Sequence, residues 1–141
     1  DAARVALRQP GVTQVTILYR RTKEEMPAFE EDIEAALAEG IELRTLVSPV
    51  RILTAEGRIS GVECLTNTLG EHDNSGRRRP ISQPGTEEVT AVDTLLVAIS
   101  EQADPDVISN AGFEGVPGRA LRIDPETMLT SRPGVFSGGD A

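Results

Sequence analysis

Apolar residues fall along the chain in two different rhythms. Ala2, Ala3, Val5, Ala6 and Leu7 form a helix-compatible cluster that stops at Gln9-Pro10-Gly11, strong punctuation for a short helix. Val12 to Tyr19 (VTQVTILY) is rich in β-branched and aromatic residues, and its end from Val15 to Tyr19 is apolar enough to be covered on both faces, as in a parallel sheet. After a polar turn the period lengthens. Pro27 suits a first helical turn, Phe29, Ile33, Ala36 and Leu37 share one helical face, and Gly40 supplies the stop. Glu30, Glu31, Asp32, Glu34 and Glu39 take the other face as a solvated surface. Ile41 to Val47 then alternates like a half-covered strand. Helix, strand, helix, strand is half of a doubly wound α/β unit.

Beyond Val47 the rhythm shortens. Val50 to Thr54, a turn at Glu56-Gly57 and Ile59 to Leu69 have no helix between them, which predicts an antiparallel meander. Gly70 to Gly85 is dense in turn residues and is expected to be an exposed loop, with Val89 to Val92 returning as a strand. Leu95 to Ile99 is a continuous apolar run, the pattern of a buried central strand. The predicted architecture is a three-layer α/β unit: a short parallel sheet of residues 12–19, 41–47 and 95–99, with the meander inserted before the last. No internal repeat, low-complexity tract or dividing linker interrupts it.

Composition narrows the chemistry. The 141 residues suffice for one domain, and no apolar run approaches the roughly 18 residues of a membrane span. The opening Asp1-Ala2-Ala3-Arg4 has neither an initiator methionine nor a signal-peptide layout, so the sequence reads as a piece of something larger. A net charge of -9 with three Phe, one Tyr and no Trp excludes a nucleic-acid surface, which needs a basic stripe and stacking rings. Cys64 and His72 are each the single residue of their kind. One chain cannot build a CxxC redox pair or a multi-ligand zinc site from them, so redox chemistry must come from bound cofactors. Cys64 reads as a packed small hydrophobe and His72 as a solvated loop residue. A lone cysteine is compatible with a reducing cytoplasm.

Two segments carry candidate chemistry. In dinucleotide folds the end of the second strand meets the adenosine ribose, where a carboxylate favours a free 2′-hydroxyl and arginine accommodates a 2′-phosphate. Here that place holds Tyr19-Arg20-Arg21, with Thr22 and Lys23 as helpers; the alternative reading is a solvated turn. The second segment runs from Thr130 to Asp140. A strand through Val135 and Phe136 followed by Gly138, Gly139 and Asp140 would let backbone approach a flavin dinucleotide while the carboxylate accepts from ribityl hydroxyls.

Taken together, LYRR followed by TKEEMPA, the SGRRRP loop, DPETMLTS and PGVFSGGDA resemble the glutamate synthase small-subunit family and related NAD(P)H-dependent flavoprotein subunits. The resemblance spans nearly the whole chain. It implies a truncated Rossmann-like dinucleotide-binding domain whose first strand and glycine-rich loop would precede Asp1, with residues 1–119 binding NAD(P) and residues 120–141 returning to an FAD domain. NADPH and FAD are the implied cofactors, Arg20, Arg21, Ser100, Gly139 and Asp140 the implied contacts, and no side chain is a general acid or base. Relatives more often carry glycine where Ser100 stands. Iron-sulfur clusters would belong to the parent or a partner, not to this chain. The implied partners are the parent's FAD and iron-sulfur regions and a large catalytic subunit, in the cytoplasm. The isolated chain is expected to be inactive and prone to strand exchange between copies, because the absent strand would leave unpaired backbone. Two other readings stand beside this one: a thioredoxin-reductase-like disulfide reductase fragment, and a non-catalytic α/β interaction domain.

Overall fold

Among the described residues, parallel pairing is confined to two short strands. The computed structural model describes residues 1–74, 76–99, 110–114 and 121–138. Residues 1–97 and 98–141 make two separate units. In the first, β1 (Thr16–Leu18) lies parallel to β2 (Glu42–Arg44), with Ile17 opposite Leu43. The strand expected over residues 12–19 is therefore ladder-bonded only at its apolar end, where two β-branched residues precede Leu18.

Two helices precede and connect these strands. Helix α1 (Ala2–Leu7) buries none of its residues; Arg4 and Arg8 tie it to the Glu39 carboxylate at 2.6 and 2.8 Å. Hydrogen bonding from Arg4 holds that carboxylate below the usual glutamate range. Helix α2 (Glu30–Ala38) follows a 3₁₀ turn (Lys23–Glu25) and buries Ile33 and Ala36. Pro27 lies ahead of the helix, and Phe29 is its N-cap, 81% exposed rather than on the apolar face. Acidic Glu30, Glu31 and Asp32 suit the positive end of the helix dipole. The helix ends where predicted: Gly40 takes φ +89°, its N–H donates to Leu37, and the Ile41 N–H reaches back to Ala36. This is the Schellman arrangement, which needs a residue free to adopt positive φ.

The run expected as one strand over residues 41–47 is broken at Leu46, whose φ is +56°. A branched side chain there is costly, and hydrogen bonds offset it: the Leu46 N–H donates to the Arg21 carbonyl at 3.0 Å, and its carbonyl accepts from Asn67 N–H at 2.6 Å. The chain thereby leaves the parallel pair and enters the antiparallel sheet. There β3 (Val47–Ala55) pairs with the long β4 (Arg58–His72) through a turn in which Glu56 and Gly57 both have positive φ, as a two-residue hairpin requires. The other edge of β4 is shared by β5 (Arg78–Ser82) and β6 (Glu88–Thr90).

Two longer segments also depart from expectation. Residues 70–85 are not a loop, because β4 continues to His72 and β5 returns along it, Asn67 opposite Ser82. Its polar sequence is that of an edge strand, where arginines and Pro80 are tolerated. Nor do residues 95–99 form a central strand: Leu96 and Val97 are exposed and Ile99 is 89% exposed. Apolar character cannot make a strand without a neighbour to bond, and among the described residues none pairs with it.

The core of this unit is Val47, Val62 and Cys64, with Leu18 and Val92 packed against it, so one parallel strand and both long antiparallel strands meet there. Burial pushes the Cys64 thiol pKa up, away from reactivity. In the second unit, Asp124 accepts from the Glu126 and Thr127 N–H groups, and single bridges join Ile123 to Thr130 and Leu129 to Phe136. Phe136 thus makes one bridge where a strand was expected, because the turn at Arg132 to Val135 folds the segment back on itself. No helix among the described residues is long and apolar enough to cross a membrane.

Val62 is fully buried at the centre of β4. Val62→Ala is expected to cost about 2 kcal/mol, from two lost methyl groups and the space they leave. Urea unfolding of both forms measures it, and a loss under about 0.5 kcal/mol, the scale of an ordinary surface substitution, would show that this cluster is not the core.

Candidate functional site

Where β1 ends, the chain makes a corner whose two arginines have opposite fates. Tyr19 N–H still donates to the Arg44 carbonyl in sheet fashion, and its carbonyl accepts from Val47. Arg20 then faces solvent, with no side-chain partner among the described residues. Arg21 turns inward. Its side chain is 3% exposed, Nε donates to the Arg78 carbonyl at 2.7 Å, and Nη2 meets Asp73 Oδ2 at 2.6 Å. Asp73 comes from 52 residues along the chain, in the β4–β5 turn.

Asn67 completes the corner from β4. Its buried carboxamide donates to the Arg20 carbonyl at 2.9 Å and to Ser48 Oγ at 2.8 Å, while Oδ1 accepts from Ser82 Oγ at 2.9 Å. Sequence patterns pointed to the two arginines but to neither Asn67 nor Asp73. The available signal was an asparagine inside a strand pattern, where that residue is disfavoured unless its amide is used.

Glu25 joins the same hairpin. It accepts from the Arg78 backbone N–H at 3.0 Å and from Arg78 Nε at 3.1 Å, and the Tyr19 hydroxyl donates to the Glu25 carbonyl at 2.8 Å. Burial pulls the Glu25 pKa upward, but the Arg78 hydrogen bonds and charge outweigh it and hold it below the ordinary value. Thr22 is engaged with Glu25 at 3.3 Å, and Lys23 is 3.9 Å from Glu30.

The electrostatic result is local and opposite in sign to the whole chain. Segments 20–25 and 73–79 hold six basic residues against three acidic ones, within a chain of net charge -9. Asp73 is ion-paired with Arg21 and Glu25 with Arg78, which leaves Glu24 as the one remaining carboxylate of these segments against Arg20 and the exposed Arg79, so the local balance stays positive. Such a corner can bind an anion by charge-assisted hydrogen bonds. Of the other sequence-derived contacts, Ser100, Gly139 and Asp140 lie outside the described residues.

A short parallel pair with a connecting helix, feeding an antiparallel sheet, is an α/β arrangement of the Rossmann-like kind. Its backbone is similar to that of T. acidophilum thioredoxin reductase, with a TM-score of 0.62 and 16% identity over 90% of this chain and 36% of that one. No protein-family model matches the chain. In sequence it is 42% identical to the NADP(+)-dependent formate dehydrogenase subunit beta of Moorella thermoacetica over 140 residues, 99% of this chain and 20% of that protein. It is 32% identical to the glutamate synthase (NADPH) small chain of Escherichia coli K12 over 146 residues, 99% of this chain and 30% of that one. The chain is a homologue of glutamate synthase small chains and of the NADPH-linked oxidoreductase subunits related to them, and spans less than a third of the length of either curated relative.

Because the folded pKa of Glu25 is depressed, its stabilising contribution is complete above the unfolded glutamate value and is lost as pH falls through the lower folded value. Stability of the wild type should therefore drop through that acidic window, and Glu25→Gln should flatten the drop there. Thermal melts at successive pH values measure it; identical slopes for both proteins would dissociate Glu25 from the hairpin contact.

Proposed function

We propose that these 141 residues are the NADPH-recognising module of a larger flavin-dependent oxidoreductase in which hydride passes between NADPH and FAD. Residues 1–119 form the NAD(P) side and residues 120–141 return to the FAD side. The observation that carries this reading is Arg20, exposed and unpaired at the carboxyl end of β1 in a corner where Asp73 and Glu25 are already ion-paired and Glu24 is the one carboxylate left. That is the place and the charge an adenosine 2′-phosphate requires. NADP appears in the names of both sequence relatives, which supports the choice of nucleotide.

The cofactors, when bound, supply the redox chemistry, two electrons and a proton moving as hydride from nicotinamide to flavin. The chain supplies recognition. Arg20 contacts the 2′-phosphate, Arg21 braces the corner from within, and Ser100 lies on the nucleotide side. Gly139 and Asp140 approach FAD, the carboxylate accepting from ribityl hydroxyls. Electrons continue to iron-sulfur centres held elsewhere in the parent or in a partner such as a large catalytic subunit, in the cytoplasm, and this module has no turnover by itself. A disulfide reductase reading gains nothing from Cys64, which is buried.

Charge-assisted contacts contribute about 1.5 to 3 kcal/mol, so Arg20→Ala in the flavoprotein should lower kcat/KM for NADPH by roughly one to two orders of magnitude. The value for NADH should barely change. Steady-state kinetics with both nucleotides decide it: equal losses, or a wild-type preference for NADH, would make the corner an ordinary solvated turn. Asp140→Ala should lower the flavin content of the purified flavoprotein; full FAD occupancy with unchanged turnover would remove Asp140 from the flavin site.

A further inference from the structure

The β4–β5 hairpin touches the corner at three points, and each bears on Arg20. Asn67 uses both amide N–H groups, one on the Arg20 carbonyl and one on Ser48, and is itself oriented by the Ser82 hydroxyl. Asp73 fixes the guanidinium of Arg21, and the Arg78 carbonyl takes a second of its N–H groups. Arg78 in turn holds Glu25. Holding Arg21 inward commits its neighbour outward, and it is Arg20 that emerges without a partner.

We infer that this hairpin is part of the nucleotide-selecting apparatus, with Asp73 and Asn67 as positioning residues that aim Arg20 at the 2′-phosphate of NADPH. The inference rests on the NADPH reading above and adds the element that sets the geometry. A buried guanidinium needs acceptors, and the hairpin supplies two of them. Without Asp73, Arg21 would seek another acceptor, an incoming phosphate among them. The two arginines would then compete for inward and outward places, and Arg20 would lose its fixed direction. Coupling also runs the other way: a ligand that engages Arg20 must steady the hairpin.

The test uses the flavoprotein with NADPH and NADH. Misplacing a binding group by about 1 Å can cost as much as 100-fold, so Asp73→Asn, which removes the charge but keeps an acceptor, should raise KM for NADPH about tenfold. Its kcat should stay within about twofold, KM for NADH should not change, and Asp73→Glu should recover most of the loss. Ser82→Ala, a milder change, should shift NADPH in the same direction and serves if Asp73→Asn does not fold. The wild type gives an independent readout: NADP+, and not NAD+, should slow amide exchange at Asp73 and Gly76. If Arg20→Ala discriminates between the nucleotides while Asp73→Asn and Ser82→Ala affect both equally or neither, the positioning role is overturned and the NADPH reading stands. If Arg20→Ala is itself indifferent to the 2′-phosphate, both fall.

Discussion

A guanidinium that is 3% exposed must have its charge and its N–H groups answered by the protein, and at Arg21 this demand organises the surrounding structure. No residue near it in sequence answers it. Asp73 and the Arg78 carbonyl do, from 52 and 57 residues away. Satisfying Arg21 therefore requires β4 and β5 to form and to close over the end of β1. The same closure brings Asn67 against Arg20 and Leu46, and its hydrogen bonds sustain the strained backbone at Leu46, where the parallel pair gives way to the antiparallel sheet. Removing Asp73 alone would leave a buried cation uncompensated, a more damaging change than replacing both partners by apolar residues.

This arrangement separates two tasks that adjacent arginines would otherwise share. One charge is spent internally, on joining sheet elements. The other is kept in solvent, where two of the three nearby carboxylates, Asp73 and Glu25, already have their charges met by Arg21 and Arg78. An acidic chain can in this way present a local anion-binding corner without a basic surface. The wider scaffold is shared with a thioredoxin reductase at 16% identity, so the fold sets only where the corner lies, and its side chains must set what it binds.

Much of the scaffold was legible from local chemistry. Gly40 stopped α2, Glu56-Gly57 turned the β3–β4 hairpin, and Ile33 and Ala36 faced inward, because each signal is contained within a few residues. The failures are non-local. Residues 70–85 looked like a loop because β5 is polar and contains Pro80, and only its pairing with β4 makes it a strand. Residues 95–99 looked like a strand because they are apolar, yet no described strand lies beside them. At the site, the position and charge of Arg20 and Arg21 could be read, whereas the burial of Arg21 could not, since it depends on Asp73. Ser100, Gly139 and Asp140 lie outside the described residues, and their assignment rests on sequence resemblance.

Arg20, held outward by the hairpin, is proposed to meet the 2′-phosphate of NADPH. A crystal structure of the flavoprotein with NADP+ tests it most directly. The 2′-phosphate is expected within hydrogen-bond distance of the Arg20 guanidinium, with Arg21 still on Asp73 and Asn67 still on the Arg20 carbonyl. A 2′-phosphate bound elsewhere, with Arg20 left in solvent, would contradict it.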